Sequence, residues 1–177
     1  DIKRTHIRPP PRKERIRHAD ILAMVATLDF DLRGLRDRAM LLIGHAGGLR
    51  RSEIVSLDIG SGNSPSQSGM VQIHADKAVL SLKSETGWRD VTITRGTDTQ
   101  TCAVRALEQW LRFAQIDTGP IFVRVSRDGT RALQTRLNDK HVARLIKSTV
   151  LKSGIRADLP EQDRLALFSG QSLRGSP

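Results

Sequence analysis

The hydrophobic period of this chain changes twice, and that change confines it to a mixed fold. Apolar residues recur at helical spacing in the first third, alternate between residues 71 and 93, and return to helical spacing from residue 103. Val71-Gln72-Ile73-His74, Val79-Leu80-Ser81-Leu82 and Val91-Thr92-Ile93 alternate or nearly so, which predicts three short antiparallel strands. Asp76-Lys77 turns between the first two. Residues 83–90 link the last two, with Gly87 near the tip. On the N-terminal side, Asp20 is expected to cap a helix carrying Ile21, Leu22, Val25 and Leu28. A mostly buried helix from Leu35 to His45 ends at Gly47-Gly48, and Ser52 caps a third, short one through Leu57. Residues 60–69 read as a loop. Beyond the strands, Ala103, Leu107, Trp110, Leu111 and Ala114 mark a helix, and residues 120–123 are extended. Val142, Leu145, Ile146 and Val150 mark another helix, ended by Gly154, and Pro160 starts a last one through Leu167. The expectation is an α+β domain, mostly helical, around a small three-stranded antiparallel sheet.

At 177 residues the chain suits one such domain, and with 3% aromatic residues its core must be aliphatic. We divide it into a basic, Pro-rich arm over residues 1–18 and a domain over 19–177. The arm centres on Pro9-Pro10-Pro11, which blocks helix and favours an extended path. It holds seven lysines and arginines against two acids, half of the chain's formal surplus of +10. That surplus favours a polyanionic partner, and scarce aromatics favour the backbone of a duplex over stacked single strands. Opening on Asp1, the chain is expected to begin inside a longer protein. No apolar run reaches the length of a membrane span, and the first residues are not a signal peptide. The lone Cys102 excludes an internal disulfide and a cysteine-rich zinc site, and fits a reducing cytoplasm.

Three cations could do chemistry. Arg50, in Gly48-Leu49-Arg50-Arg51-Ser52-Glu53, follows two glycines at a helix junction, and its guanidinium suits bidentate binding of a phosphate. Glu53, three residues on, can hold it; Arg-x-x-Glu is also the spacing of an ordinary surface pair. Arg174 closes Gln171-Ser172-Leu173-Arg174, after the turn-like Phe168-Ser169-Gly170. Lys83 begins the link between the second and third strands, where a lysine can protonate a leaving oxygen or simply protect a sheet edge. His6, His18, His45, His74 and His141 are scattered without metal-ligand spacing, and His45 on its apolar helix is expected in the core or a cleft wall. No carboxylate pair suggests a two-metal site, and no Gly-rich phosphate loop is present. Ser172 and Ser176 read as loop residues.

The order of these pieces resembles the catalytic domain of tyrosine recombinases, the phage-integrase family, over roughly residues 19–174. Arg36-Asp37-Arg38-Ala39-Met40-Leu41-Leu42 before the first arginine and Val104-Arg105-Ala106-Leu107 after the strands also resemble that family. The resemblance implies site-specific DNA breaking and rejoining through a 3′-phosphotyrosyl intermediate, with no metal or cofactor and double-stranded DNA as partner. It implies that Arg50 and Arg174 clamp the scissile phosphate, that Lys83 protonates the departing 5′-oxygen, and that Glu53 orients Arg50. Gln171 stands where the family carries a histidine; it can hydrogen-bond phosphate but cannot shuttle a proton near neutral pH. The chain contains no tyrosine. Two expectations follow: a catalytic domain ending before its nucleophile, binding duplex DNA without cutting it, or a degenerate recombinase serving only as a DNA-binding module. A chance likeness in a basic helical protein that binds RNA or protein is the third reading. The family assembles as tetramers on DNA; this chain is expected to be a monomer in solution.

Overall fold

Nine buried residues line one 16-residue helix, α2 (Leu32–Gly47), and most of the other described helices pack against it. The computed structural model describes residues 12–60 and 68–174. Asp31 caps α2 by accepting the Gly34 N–H at 2.7 Å, and Gly48 ends it in the left-handed region at φ 60°, where a side chain would strain the backbone. The helix therefore begins earlier than its hydrophobic spacing suggests. It is flanked by α1 (His18–Ala26), α3 (Arg51–Val55), α4 (Ala103–Ala114) and α5 (Asp139–Ser153). The short α6 (Glu161–Leu167) and α7 (Gly170–Leu173) follow.

Two expected caps sit elsewhere. Asp20 lies inside α1, where its carboxylate accepts the Arg17 N–H at 2.9 Å from the third helical position. Ser52 lies inside α3, whose first turn is closed by Glu53 accepting the Arg50 N–H.

The three alternating segments are strands β2 (Gly69–Ile73), β3 (Lys77–Ser84) and β4 (Gly87–Thr94), paired antiparallel. The sheet is larger than three strands: β1 (Asp58–Ile59) adds parallel to β2, and β5 (Gly119–Pro120) adds antiparallel to β1. Both additions are two residues long, too short to show a period. A separate hairpin joins β6 (Val123–Val125) to β7 (Ala132–Arg136). Its turn is built on Asp128, whose carboxylate accepts from the Ser126 hydroxyl at 2.6 Å and the Thr130 hydroxyl at 2.7 Å. Those bonds hold its pKa down to about 2. The class is α+β, as expected.

Of the expected arm, residues 1–11 lie outside the described residues, as do residues 61–67 of the loop and Ser176. Residues 12–17 are built into the domain: Ile16 is fully buried, its N–H bonds the Ser172 carbonyl, and the Glu14 N–H bonds the Leu167 carbonyl. Among the described residues no helix is long and apolar enough to cross a membrane.

Candidate nucleic-acid interface

Arg50 and Arg174 lie 124 positions apart in sequence and line one cavity of about 630 Å³. Gly44 of α2 explains how they meet. A Cβ there would lie 2.7 Å from the tip of Ile54 in α3 and 3.2 Å from the tip of Leu173 in α7. Hydrogen in place of a methyl lets both short helices dock on the same turn of α2. Arg50 caps the start of α3, and Arg174 directly follows α7. Among the described residues, no group hydrogen-bonds either guanidinium, so their donors are available to a ligand.

Lys13, Arg51, Ser52, Asp139, Ser169, Gly170 and Gln171 complete the cavity wall. Four cations thus face one carboxylate, and Asp139 is paired with Arg51 at 3.2 Å. Gln171 is exposed on α7. Ser172 is not a loop residue: it is buried in α7, and its hydroxyl accepts the Ser169 N–H at 3.1 Å while Ser169 caps the helix. Lys147 supports the same turn, donating to the carbonyls of Leu165 and, at 3.0 Å, Phe168. Burial and, secondarily, Lys13 push its pKa below the ordinary lysine range. Nothing in the sequence around Lys147 marks it for this task, because the carbonyls it binds lie 18 and 21 residues further on.

Glu53 and Lys83 differ from expectation. Glu53 holds the main-chain N–H of Arg50 at 2.8 Å rather than its guanidinium, and its other oxygen accepts from Arg89 at 2.5 Å. Burial alone would raise its pKa, but the Arg50 amide and Arg89 outweigh it and hold the carboxyl below its ordinary value. Glu53 therefore positions Arg50 through the backbone. Lys83 is not on a long loop. It belongs to β3, directly opposite Trp88, and only Glu85 and Thr86 separate the paired ends Ser84 and Gly87. Strand alternation puts Lys83 on the face opposite Leu80, Leu82 and Arg89, and it does not line the cavity of the two arginines.

His45 lies behind α7, on the wall of a second cavity of about 850 Å³, its ring 6.1 Å from that of His18. Burial, then His18, push its pKa below 6.5, against smaller opposing effects of the Leu173 backbone and Asp20. Its buried Nδ1 has no partner among the described residues. A depressed pKa means the unfolded chain takes up the proton first. Stability is therefore full above pH 6.5, falls as pH drops below it, and levels off under the folded-state value. Melting temperatures measured from pH 8 to pH 5 should show this decline, flattened by His45→Gln.

No family model matches the chain. It is 35% identical over 144 residues to an integrase/recombinase xerD homolog of Selenomonas ruminantium, an alignment covering 81% of this chain and 38% of that protein. This chain is a member of the tyrosine recombinase family. It spans about two fifths of the length of that relative. The fold agrees. The XerH site-specific recombinase bound to difH in a pre-cleavage complex superposes with a TM-score of 0.57 at 14% identity, over 94% of this chain and 42% of that one. The XerA recombinase superposes with 0.50 at 18% identity, over 89% and 48%. The Asp139 carboxylate opposes any anion entering the cavity beside Arg51.

Proposed function

We propose that this domain binds duplex DNA with one backbone phosphate held between Arg50 and Arg174, as the phosphate-binding part of a site-specific recombinase. The observation that carries the reading is that Arg50 and Arg174, 124 positions apart in sequence and with guanidiniums unpartnered among the described residues, line one cationic cavity. Two fixed forks can share the negative charge that grows on phosphorus oxygens as a nucleophile attacks. In the family reaction a tyrosyl oxygen bonds to phosphorus, the bond to the 5′-oxygen breaks, and that oxygen takes a proton. Lys83 is the donor we assign. It would reach the phosphate only if the β3–β4 hairpin leans over the cavity when DNA is bound. Gln171 would hydrogen-bond a phosphate oxygen without moving a proton. This chain contains no tyrosine, so we assign it binding without strand cleavage. The glutamine at the histidine position also suits a second reading, a relic that retains only DNA binding.

The test has two parts. Anisotropy with a labelled duplex should show binding that weakens steeply with salt, since each neutralised phosphate contributes about 0.9 to the slope of log affinity against log salt. A suicide duplex, nicked beside the crossover, should give no covalent adduct with this chain. An adduct would defeat the binding-only assignment, and indifference to DNA at low salt would defeat the whole reading.

A further inference from the structure

Three large apolar side chains are strongly exposed among the described residues: Phe30, Phe113 and Trp88. Phe30 and Phe113 meet edge to face at 6.4 Å and partly cover each other. Trp88 is 53% exposed and has no ring partner among the described residues. Its place in the ladder is informative. It stands directly opposite Lys83, and alternation puts both on the face shared by Ser81 and Asp90, whose side chains bond each other at 2.8 Å. The next residue, Arg89, points the other way and bonds Glu53 at 2.5 Å, while Glu53 grips the Arg50 amide at 2.8 Å. One arginine side chain and one carboxylate thus tether the hairpin to the start of α3, and Trp88 stands beside Lys83 on the other face of that tethered hairpin.

We propose that Trp88 is a duplex-contact residue: its indole packs on the sugar edge of the strand whose phosphate sits between Arg50 and Arg174. The proposal rests on the reading of that cavity as a DNA site. A cavity of about 630 Å³ holds a phosphodiester and its neighbours. A duplex, whose major groove alone is about 12 Å wide, must continue over the rim. The surface it presents there is a row of sugar carbons between phosphate oxygens. An indole matches that surface, with an apolar face and a single N–H donor. Lysine beside it supplies charge but cannot exclude water; tryptophan beside lysine does both.

The chain has two tryptophans, and they suit the measurement. Trp110 is fully buried, with its Nε1 donating to the Ile121 carbonyl at 2.9 Å. Acrylamide should therefore quench Trp88 and spare Trp110. At low salt, saturation with an unlabelled mixed-sequence duplex a few helical turns long should shield the quenchable component. Anisotropy of a labelled copy of that duplex would report binding independently. Trp88→Phe should abolish the shielded component. Trp88→Ala should weaken binding roughly tenfold at an unchanged circular dichroism spectrum, about what taking a large apolar side chain out of water is worth. Saturated binding with Trp88 as quenchable as before would overturn the proposal, leave the arginine clamp standing, and return the hairpin face to a protein partner. Absence of binding would overturn the duplex reading of the cavity, and this contact with it.

Discussion

Arg174→Ala is expected to weaken duplex binding by about 1.5–3 kcal/mol, roughly ten- to a hundredfold, and Arg50→Ala to do the same. Among the described residues neither guanidinium has a hydrogen-bond partner, so its loss removes ligand contacts without breaking a bond described in the free protein. Arg50→Ala should also leave α3 intact, because Glu53 holds the Arg50 amide and not its side chain. The double variant tests the geometry. If both residues grip one phosphate, the first substitution already loosens it, and the combined loss should fall short of the sum of the single losses. The salt slope should then drop by about 0.9 in total. Full additivity, with a slope lower by about twice that, would show two separate phosphates and would sink the clamp. Lysine at either position should restore little, since an ammonium lacks the fork.

Part of this candidate cavity is legible in the sequence, because motif order survives where local geometry does not. Arg50 and Arg174 were identified from their order around the strands, and the cavity brings them together. What brings them there was not legible. Gly44 looks like any helical glycine until Ile54 and Leu173 are seen to converge on it. Lys13, Arg51 and Asp139 reach the cavity from distant segments, so no spacing could connect them. Residues 83–90 read as a link because they contain glycine and few apolar residues. The ladder continues through them since Ser84 closes a two-residue turn by bonding the Gly87 carbonyl at 2.8 Å. The β6–β7 hairpin leaves little trace in the sequence beyond its Asp128-Gly129 turn signal: β6 is only three residues long, β7 does not alternate, and each strand carries an arginine. One of those arginines, Arg136, bonds the Val55 carbonyl at 2.8 Å and Asp58 at 2.6 Å, fixing the hairpin to α3 and β1. Charge here does the work that an apolar face does elsewhere.

Arg36 is the extreme case. It belongs to the stretch that suggested the family, and its side chain is only 4% exposed. Nε donates to Asp37 at 3.0 Å, Nη1 donates to the Val123 carbonyl at the start of β6 at 3.1 Å, and Nη2 meets His141 Nε2 of α5 at 3.2 Å. His141 Nε2 also lies 3.4 Å from Asp37. One nitrogen cannot serve both: the arginine needs it bare, the carboxylate needs it protonated. Arg36 thus reaches from α2 to β6 and α5 at once. Arg36→Ala is therefore expected to cost about 3–5 kcal/mol, because it opens a cavity and leaves Asp37 and the Val123 carbonyl without their donor. Against a typical total of about 5–15 kcal/mol, that is a large share. Urea unfolding would measure it as a lower midpoint at unchanged slope. Arg36→Met with Asp37→Leu separates causes. Recovery of most of the lost stability would show that the cost lay in a stranded charge. If Arg36→Ala loses less than about 1 kcal/mol, the guanidinium is solvated in the folded protein and does not join α2 to β6 and α5.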